Sequence, residues 1–172
     1  MDLIPPGGER NFVYPNTRRG STLWYDDHTM DHTGQNIDMG LAAMYIVEDN
    51  EAALGLHSGE FDVPLVLANR QFTKTGELLY SDGSKFGATR DVLLVNGAPW
   101  PQLEVARREY RFRILNASKS GSYTLALSDG QPLPQIATEG GLLPSPVASG
   151  SIPVGMGERP LSDGQHPGPA RR

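Results

Sequence analysis

Residues 109–116 read Glu-Tyr-Arg-Phe-Arg-Ile-Leu-Asn, the clearest alternation of apolar and polar side chains in the sequence. In an extended strand, side chains two residues apart point to the same side. The run therefore predicts a β-strand whose apolar face consists of Tyr110, Phe112 and Ile114. Burying these side chains is worth roughly 5–8 kcal/mol before entropy, so we expect this face to be core. Arg111 and Arg113 lie on the other face, where we interpret them as solvent-facing charges, with an anion site as the alternative.

Shorter runs of the same kind, bounded by turn residues, occur on both sides of this strand. They predict further strands at 9–14, 21–25, 39–47, 61–68, 91–95, 122–128, 135–138 and 151–154. The alanine and methionine content of 39–47 leaves a helix open there. Asn96-Gly97 between two runs predicts a hairpin. Long helical periodicity is absent, and 20 glycines and 14 prolines favour strands and turns, so the predicted fold class is all-β.

Several side chains outside residues 109–116 are also predicted to be core. They are Phe12, Val13 and Tyr14 in the first run and Met44 in the most apolar run. Met44 has no nearby pattern of Cys and His that would give its thioether a metal to bind. We therefore expect it to fill space between strands.

Residue counts exclude several kinds of site. The chain has no cysteine, which rules out disulfides, iron–sulfur clusters and thiolate zinc sites within it. Its formal net charge of -5 argues against nucleic acid or an anionic membrane as partner. Residues 1–10 lack the charged and apolar regions of a secretory signal, and no apolar run approaches the length of a membrane span. A soluble protein is expected, and its localisation stays open.

The candidate chemistry lies in residues 24–34, Trp-Tyr-Asp-Asp-His-Thr-Met-Asp-His-Thr-Gly. Imidazole and carboxylate groups together suit a transition metal. In an extended segment, Asp26 and His28 share a face. In a helix beginning after Tyr25, His28 and His32 lie one turn apart on a common face. The alternative to both is a polar loop with solvated charges.

The wording of this stretch resembles the second copper-ligand motif of multicopper oxidases, in the branch of spore-coat laccases, bilirubin oxidase and phenoxazinone synthase. The family reads Leu-Trp-Tyr-His-Asp-His, then a short loop, Asn, and a Gly-Leu-Ala-like strand. This chain has Leu-Trp-Tyr-Asp-Asp-His at 23–28, then Asn36, then the apolar run 40–47. The resemblance implies that His28 is a ligand of the binuclear (type 3) copper pair. It places Asp26 at the position of the other ligand, a histidine in the family, and it carries no role to His32.

Later phrases of the chain resemble the second domain of the same oxidases, in the same order. They are Phe-Asp-Val-Pro-Leu at 61–65, Val-Asn-Gly-Ala-Pro-Trp-Pro at 95–101, Leu-Glu-Val at 103–105, Tyr-Arg-Phe-Arg-Ile-Leu-Asn-Ala-Ser at 110–118 and Gly-Gly-Leu-Leu-Pro at 140–144. The likeness runs to about residue 159. It implies a cupredoxin-like Greek-key β-sandwich, with one fairly complete domain plus part of another, from a chain that begins partway through a larger protein.

These matches divide the chain into four expected parts. Residues 1–50 are the end of a first cupredoxin-like domain, 51–60 a linker, 61–159 a second cupredoxin-like domain and 160–172 a disordered tail. The tail differs from the family, and we interpret it as the product of a frameshift or truncation. His57 is isolated in the acidic, Gly-rich linker, where we expect it to be solvent-exposed.

The functional expectation follows from the resemblance. The complete oxidases take single electrons from phenolic, bilirubin-like or aminophenol substrates at a Cys-ligated (type 1) copper, and reduce dioxygen to water at a three-copper cluster held by histidines. Only His28 matches such a histidine, and the chain has no cysteine. We therefore expect a copper-oxidase fragment that is inactive alone and lacks the remaining oxidase domains. The alternatives are a non-catalytic β-sandwich module packing against a partner chain, and a mononuclear metal site of Asp26, His28 and His32.

Overall fold

The computed structural model describes residues 4–49, 51–80 and 90–166. Within them, strands β1–β11 and a short helix α1 account for nearly all regular structure, which confirms the all-β prediction. Two 3₁₀ turns, Glu51–Leu54 and Gly59–Phe61, lie between β2 and β3. In chain order the elements are β1 Ser21–Asp26, α1 Thr33–Asp38, β2 Ala42–Val47, β3 Asp62–Arg70, β4 Val92–Val95, β5 Ala98–Pro99, β6 Arg108–Asn116, β7 Tyr123–Leu125, β8 Leu133–Thr138, β9 Gly141–Ser149, β10 Ile152–Val154 and β11 Leu161–His166. No helix among the described residues is long and apolar enough to cross a membrane.

A seven-stranded sheet in the order β5-β4-β3-β6-β11-β8-β9 forms the body of the molecule. β3 and β6 run parallel at its centre, and its other neighbours are antiparallel. β1 pairs with β2, and β7 with β10, in two separate two-stranded sheets. Leu133, Ile152 and Val154 form one buried cluster where β8 meets the β7–β10 pair. The division into domains at 50 and 61 is compatible with these sheets and stays a prediction.

Most of the predicted strands are present, and the Asn96-Gly97 hairpin is confirmed. It joins β4 to β5 with positive φ angles of 51° and 82° at its two turn residues. The run 39–47 is a strand from Ala42, so the helix left open for it does not form. Met44 is half-buried there. α1, β9 and β11 were not predicted.

The predicted strand at 9–14 is wrong. These residues form no strand, and Phe12, Val13 and Tyr14 are 59%, 89% and 69% exposed. A strand needs a neighbour for its backbone hydrogen bonds, and no described segment pairs with this one. The apolar pattern is real, but its side chains are covered only in part. Arg10 lies over the ring of Phe12 and Tyr14 lies beside Tyr45, while Val13 is exposed.

The disordered tail predicted for 160–172 is also wrong as far as residue 166. Leu161–His166 form β11, which lies between β6 and β8 inside the large sheet. Leu161 is 2% exposed and packs with Ile136, Ala137 and Leu56. The local composition is poor for a strand, but two flanking strands supply partners for its backbone. Residues 167–172 lie outside the described residues.

The two arginines of β6 are buried, which corrects their interpretation as solvent-facing charges. Arg111 is 3% exposed and Arg113 1%, while Tyr110 and Ile114 on the other face are also buried. Both faces of β6 are therefore covered. The predicted linker covers the arginine face, because Glu51 lies against both guanidinium groups.

His57, expected to be exposed, is half-buried in the same region. Its Nδ1 lies 2.7 Å from Asp163 Oδ1 on β11, and its Nε2 lies 3.6 Å from Glu109 Oε2 on β6. The expectation came from the acidic, Gly-rich composition around it. The contact partner is 106 residues away in the sequence and could not be inferred from that composition.

Candidate metal site

The loop between β1 and α1 carries the predicted ligands. β1 ends at Asp26, the chain continues irregularly, and α1 begins only at Thr33, with His32 at its N-terminal boundary. His28 and His32 are therefore not one helical turn apart, and the helical alternative is not realised. Gly40, with φ of 95°, ends the helix and directs the chain into β2.

Short hydrogen bonds hold the first half of this loop. The amide and hydroxyl of Thr29 donate to Asp27 Oδ1 at 3.0 and 2.6 Å. Those two bonds, the hydroxyl bond first, lower the pKa of the exposed Asp27 carboxyl from its ordinary value. The hydroxyl of Thr33 donates to the carbonyl of Thr29 at 3.2 Å, which ties the loop to the first turn of α1.

Asp26 and His28 differ in their surroundings. Asp26 is half-buried and lines an open groove of about 750 Å³ with Trp24, Tyr25 and Tyr45. His28 is exposed at the surface of the loop. Positions 26 and 28 therefore supply one carboxylate and one imidazole, with the carboxylate where the resemblance expects a second imidazole.

The described residues do not assemble a complete metal-binding set. No group of three or more His, Cys, Asp or Glu side chains in residues 4–49, 51–80 and 90–166 is placed to hold a metal ion. The mononuclear site of Asp26, His28 and His32 is thus not formed, and the ring of His32 instead lies 3.2 Å from Gln35 Oε1. Copper prefers several nitrogen or sulfur ligands, so these residues by themselves do not fit a copper centre. The assignment of His28 and Asp26 as ligands stays a prediction.

Sequence reasoning missed a buried charge cluster behind the loop. Asp38, the last residue of α1, is 2% exposed. Arg90 Nη2 lies 2.7 Å from Asp38 Oδ2, and Arg70 Nη1 lies 3.7 Å from Oδ1. Burial lowers the pKa of Arg70, and the charge of Asp38 opposes that effect. The only available signal was one acidic residue between the apolar Ile37 and Met39.

A second buried cluster joins β1 to the large sheet. Arg113 Nη1 donates to the hydroxyl of Thr22 at 3.0 Å, and its Nη2 donates to Glu51 Oε2 at 3.0 Å. Arg159 Nε donates to the carbonyl of Thr22 at 3.0 Å. β1, which leads into the loop with His28, is therefore anchored at its start, while the loop is tied to α1 by the Thr33–Thr29 hydrogen bond.

Comparisons with known proteins agree on the family. The family model described as multicopper oxidase matches residues 1–52. Bilirubin oxidase of Albifimbria verrucaria is 39% identical, over 92% of this chain and 29% of its own. The laccase of Bacillus subtilis is 40% identical, over 86% of this chain and 31% of its own. Cell division protein FtsP of Xenorhabdus nematophila is 39% identical, over 91% of this chain and 34% of its own.

The fold agrees as well. A crystal structure of the McoA multicopper oxidase 2F4 variant from Aquifex aeolicus superposes with a TM-score of 0.80 and 37% identity, over 86% of this chain and 34% of the other. This likeness confirms the cupredoxin-like β-sandwich, with one fairly complete domain plus part of another. The chain spans about a third of the length of the curated relatives it matches. Over that third, the chain belongs to the multicopper oxidase family.

Proposed function

We propose that this chain is part of a laccase-like copper oxidase, an enzyme class that takes single electrons from phenolic or related substrates and reduces dioxygen to water. The support is the ligand motif at 23–28, in which His28 keeps its place, together with the likeness to a laccase and a bilirubin oxidase. Copper is the cofactor that this family implies. When bound, copper supplies the electron-transfer chemistry, and this chain would contribute the imidazole of His28 as one ligand.

We further propose that the chain is inactive alone. The observation that carries this is that no three His, Cys, Asp or Glu side chains among the described residues, Asp26 and His28 included, are placed to hold a metal ion. The whole sequence contains four histidines and no cysteine. A thiolate-ligated copper that accepts electrons cannot be built from these side chains. The missing ligands would come from the oxidase domains that the chain does not span.

Copper binding and oxygen uptake test this proposal together. We expect the purified chain to bind Cu(II) weakly, with the binding lost in His28→Ala and kept in the matched control His32→Ala. We expect no oxygen uptake with 2,6-dimethoxyphenol in air. Sustained oxygen uptake by the isolated chain would overturn the inactivity, and Cu(II) binding unaffected by His28→Ala would overturn the ligand assignment.

Asp26→His gives the converse experiment, because it restores the His-x-His pattern of the family. Imidazole is a better ligand for Cu(II) than carboxylate, so we expect tighter Cu(II) binding in this variant. Oxygen uptake should remain absent, since the type 1 site is still missing. Unchanged Cu(II) affinity in Asp26→His would show that position 26 does not contribute a ligand.

The second candidate is a non-catalytic β-sandwich module that packs against a partner chain. The favouring observation is uncovered apolar surface beside the two-stranded β1–β2 sheet, where Tyr25 is 60% and Leu41 52% exposed. A relative named for cell division matches as closely as the oxidases do. Sizing chromatography with the remaining domains of the Bacillus subtilis laccase as a separate chain tests it. A stoichiometric complex supports this candidate, and separate elution of the two chains contradicts it.

A further inference from the structure

We infer that Asp38, Arg70 and Arg90 act as positioning residues that hold the His28 loop in place by fixing the C-terminal end of α1. This inference rests on the proposed function, because it assigns the loop a metal to bind. None of the three side chains is offered as a metal ligand. They lie on three separate segments of the chain, the end of α1, the end of β3 and the residue two before β4.

The C-terminal end of α1 is fixed by charge and by a carbonyl contact. Arg70 Nη2 donates to the carbonyl of Ile37 at 2.7 Å, satisfying one of the carbonyls that a helix end leaves unpaired. Arg90 bridges Asp38 Oδ2, at 2.7 Å, and the hydroxyl of Ser120, at 3.1 Å. Arg70 therefore binds the backbone at the end of α1, and Arg90 binds the side chain of its last residue.

The N-terminal end of α1 is fixed by close packing. A Cβ added to Gly34 would lie 2.9 Å from Cε of Lys119, so the lysine stem rests directly on the helix backbone. Nζ of Lys119 donates to the hydroxyl of Tyr80 at 3.1 Å. Side chains from beyond the predicted linker therefore hold both ends of the helix: Arg70 and Arg90 at its C-terminal end and Lys119 at its N-terminal end.

Backbone hydrogen bonds connect α1 to the loop that contains His28. The amide of Asn36 donates to the carbonyl of His32, and the amide of Leu41 donates to the carbonyl of Asn36, each at 2.8 Å. The amide of Asp27 then donates to the carbonyl of Leu41 at 3.1 Å. His28 follows Asp27 directly, so both ends of its loop are attached to α1 and the turn after it.

The cluster depends on both of its cations. Oδ1 of Asp38 accepts no hydrogen bond from the described residues, and Arg70 faces it only at 3.7 Å. Without Arg90, the buried carboxylate would keep that distant contact alone. Removing one partner of a buried ion pair leaves an uncompensated charge, which favours opening of the segment that carries it.

Amide hydrogen exchange in Arg90→Gln tests the inference. We expect exchange at the amides of Asn36 and Leu41 to become at least about tenfold faster. The amide of Ile114, bonded to the carbonyl of Pro160 at 3.1 Å, reports on the large sheet and should keep its rate. Arg90→Lys retains the charge and should recover part of the protection. Arg19→Gln, at an exposed arginine of the turn before β1, is the matched control.

Unchanged exchange at Asn36 and Leu41 would overturn the inference, and so would equal acceleration at Ile114, which would mean a general loss of stability. If Arg90→Gln does not fold, the same comparison is made in Arg90→Lys, with a smaller change expected in the same direction. Cu(II) broadening of the His28 ring signals is recorded in the unaltered chain. Its absence contradicts the proposed function, while the exchange rates judge the positioning role independently.

Discussion

Arg113 on β6 forms a bidentate ion pair with Asp62 on the parallel neighbour β3. Nε of the arginine lies 2.9 Å from Oδ1 of the aspartate, and Nη2 lies 2.9 Å from Oδ2. The register sets Asp62 opposite Arg111, so that Arg113 is the next residue on the same face. Glu51 completes the cluster, and its two cations are balanced by two carboxylates. Burial alone lowers the pKa of Arg113, but the hydrogen bonds and charges of Asp62 and Glu51 outweigh this and raise it.

Arg113→Met should therefore be strongly destabilising. It removes a cation that is 1% exposed and leaves two carboxylates with Arg111 alone. We expect the free energy of unfolding in urea to fall by about 3–5 kcal/mol. Arg113→Lys keeps the charge but not the planar fork, so its loss should be smaller. Arg19→Gln, at an exposed site, should change stability by less than about 0.5 kcal/mol. A loss below about 1 kcal/mol in Arg113→Met would contradict the stabilising role given to this cluster.

The terminal strand offers a second prediction. A chain ending at residue 160 loses β11, so β6 and β8 lose the neighbour between them and Leu56 loses its packing partner Leu161. We expect a lower thermal midpoint and increased binding of a hydrophobic dye. Leu161→Ala alone should cost about 2–5 kcal/mol.

The matched control for this truncation is a chain ending at residue 166, which keeps all of β11. It should melt like the unaltered chain. If the two truncated chains melt alike, residues 161–166 are dispensable, as the composition of the tail predicts.

The sequence and the structure agree where the determinant is local. The alternation in 109–116 predicted β6 and its apolar face correctly, and Asn96-Gly97 predicted its turn. The burial of Arg111 and Arg113 depends on Glu51. This residue precedes Arg111 by 60 positions in the sequence. Alternation shows which side chains share a face, but it does not show what packs against the second face.

The candidate site divides in the same way. The motif at 23–28 identified the family, because the pattern is contiguous, and the role it gives to His28 stays a prediction. The anchoring of α1 by Arg70, Arg90 and Lys119 was not predictable, because these residues come from distant segments of the chain. Arginine and lysine are also residue types that usually lie at the surface. β11 was missed for a different reason. Its sequence is poor in strand formers, but β6 and β8 on either side provide hydrogen-bond partners for its backbone.

The loop itself should respond to acid. The pKa of Asp27 is lowered by its bonds from Thr29, so its ionised form stabilises the turn and this contribution is present above the ordinary pKa of an aspartate, about 3.9. It is lost as the pH falls through the lowered pKa of the folded chain. We expect the amide signal of Thr29, followed by NMR, to move with a midpoint below that of an unstructured aspartate. Asp27→Asn should abolish this titration, and a midpoint at or above the ordinary value would contradict the assignment.

For the segment 9–14, the sequence predicts a buried strand and the structure shows exposed side chains, so one variant can distinguish the two. If the apolar pattern were core, Val13→Ser would remove a buried methyl pair, bury a hydroxyl and cost well over about 1 kcal/mol. Because Val13 is 89% exposed, we expect the free energy of unfolding to change by less than about 0.5 kcal/mol. Sedimentation velocity should show less self-association, since an exposed apolar side chain is removed. Ile114→Ser, at a residue 6% exposed, is the buried comparison and should be severely destabilised. Equal losses in the two variants would mean that this segment is packed in solution and that the strand prediction was right.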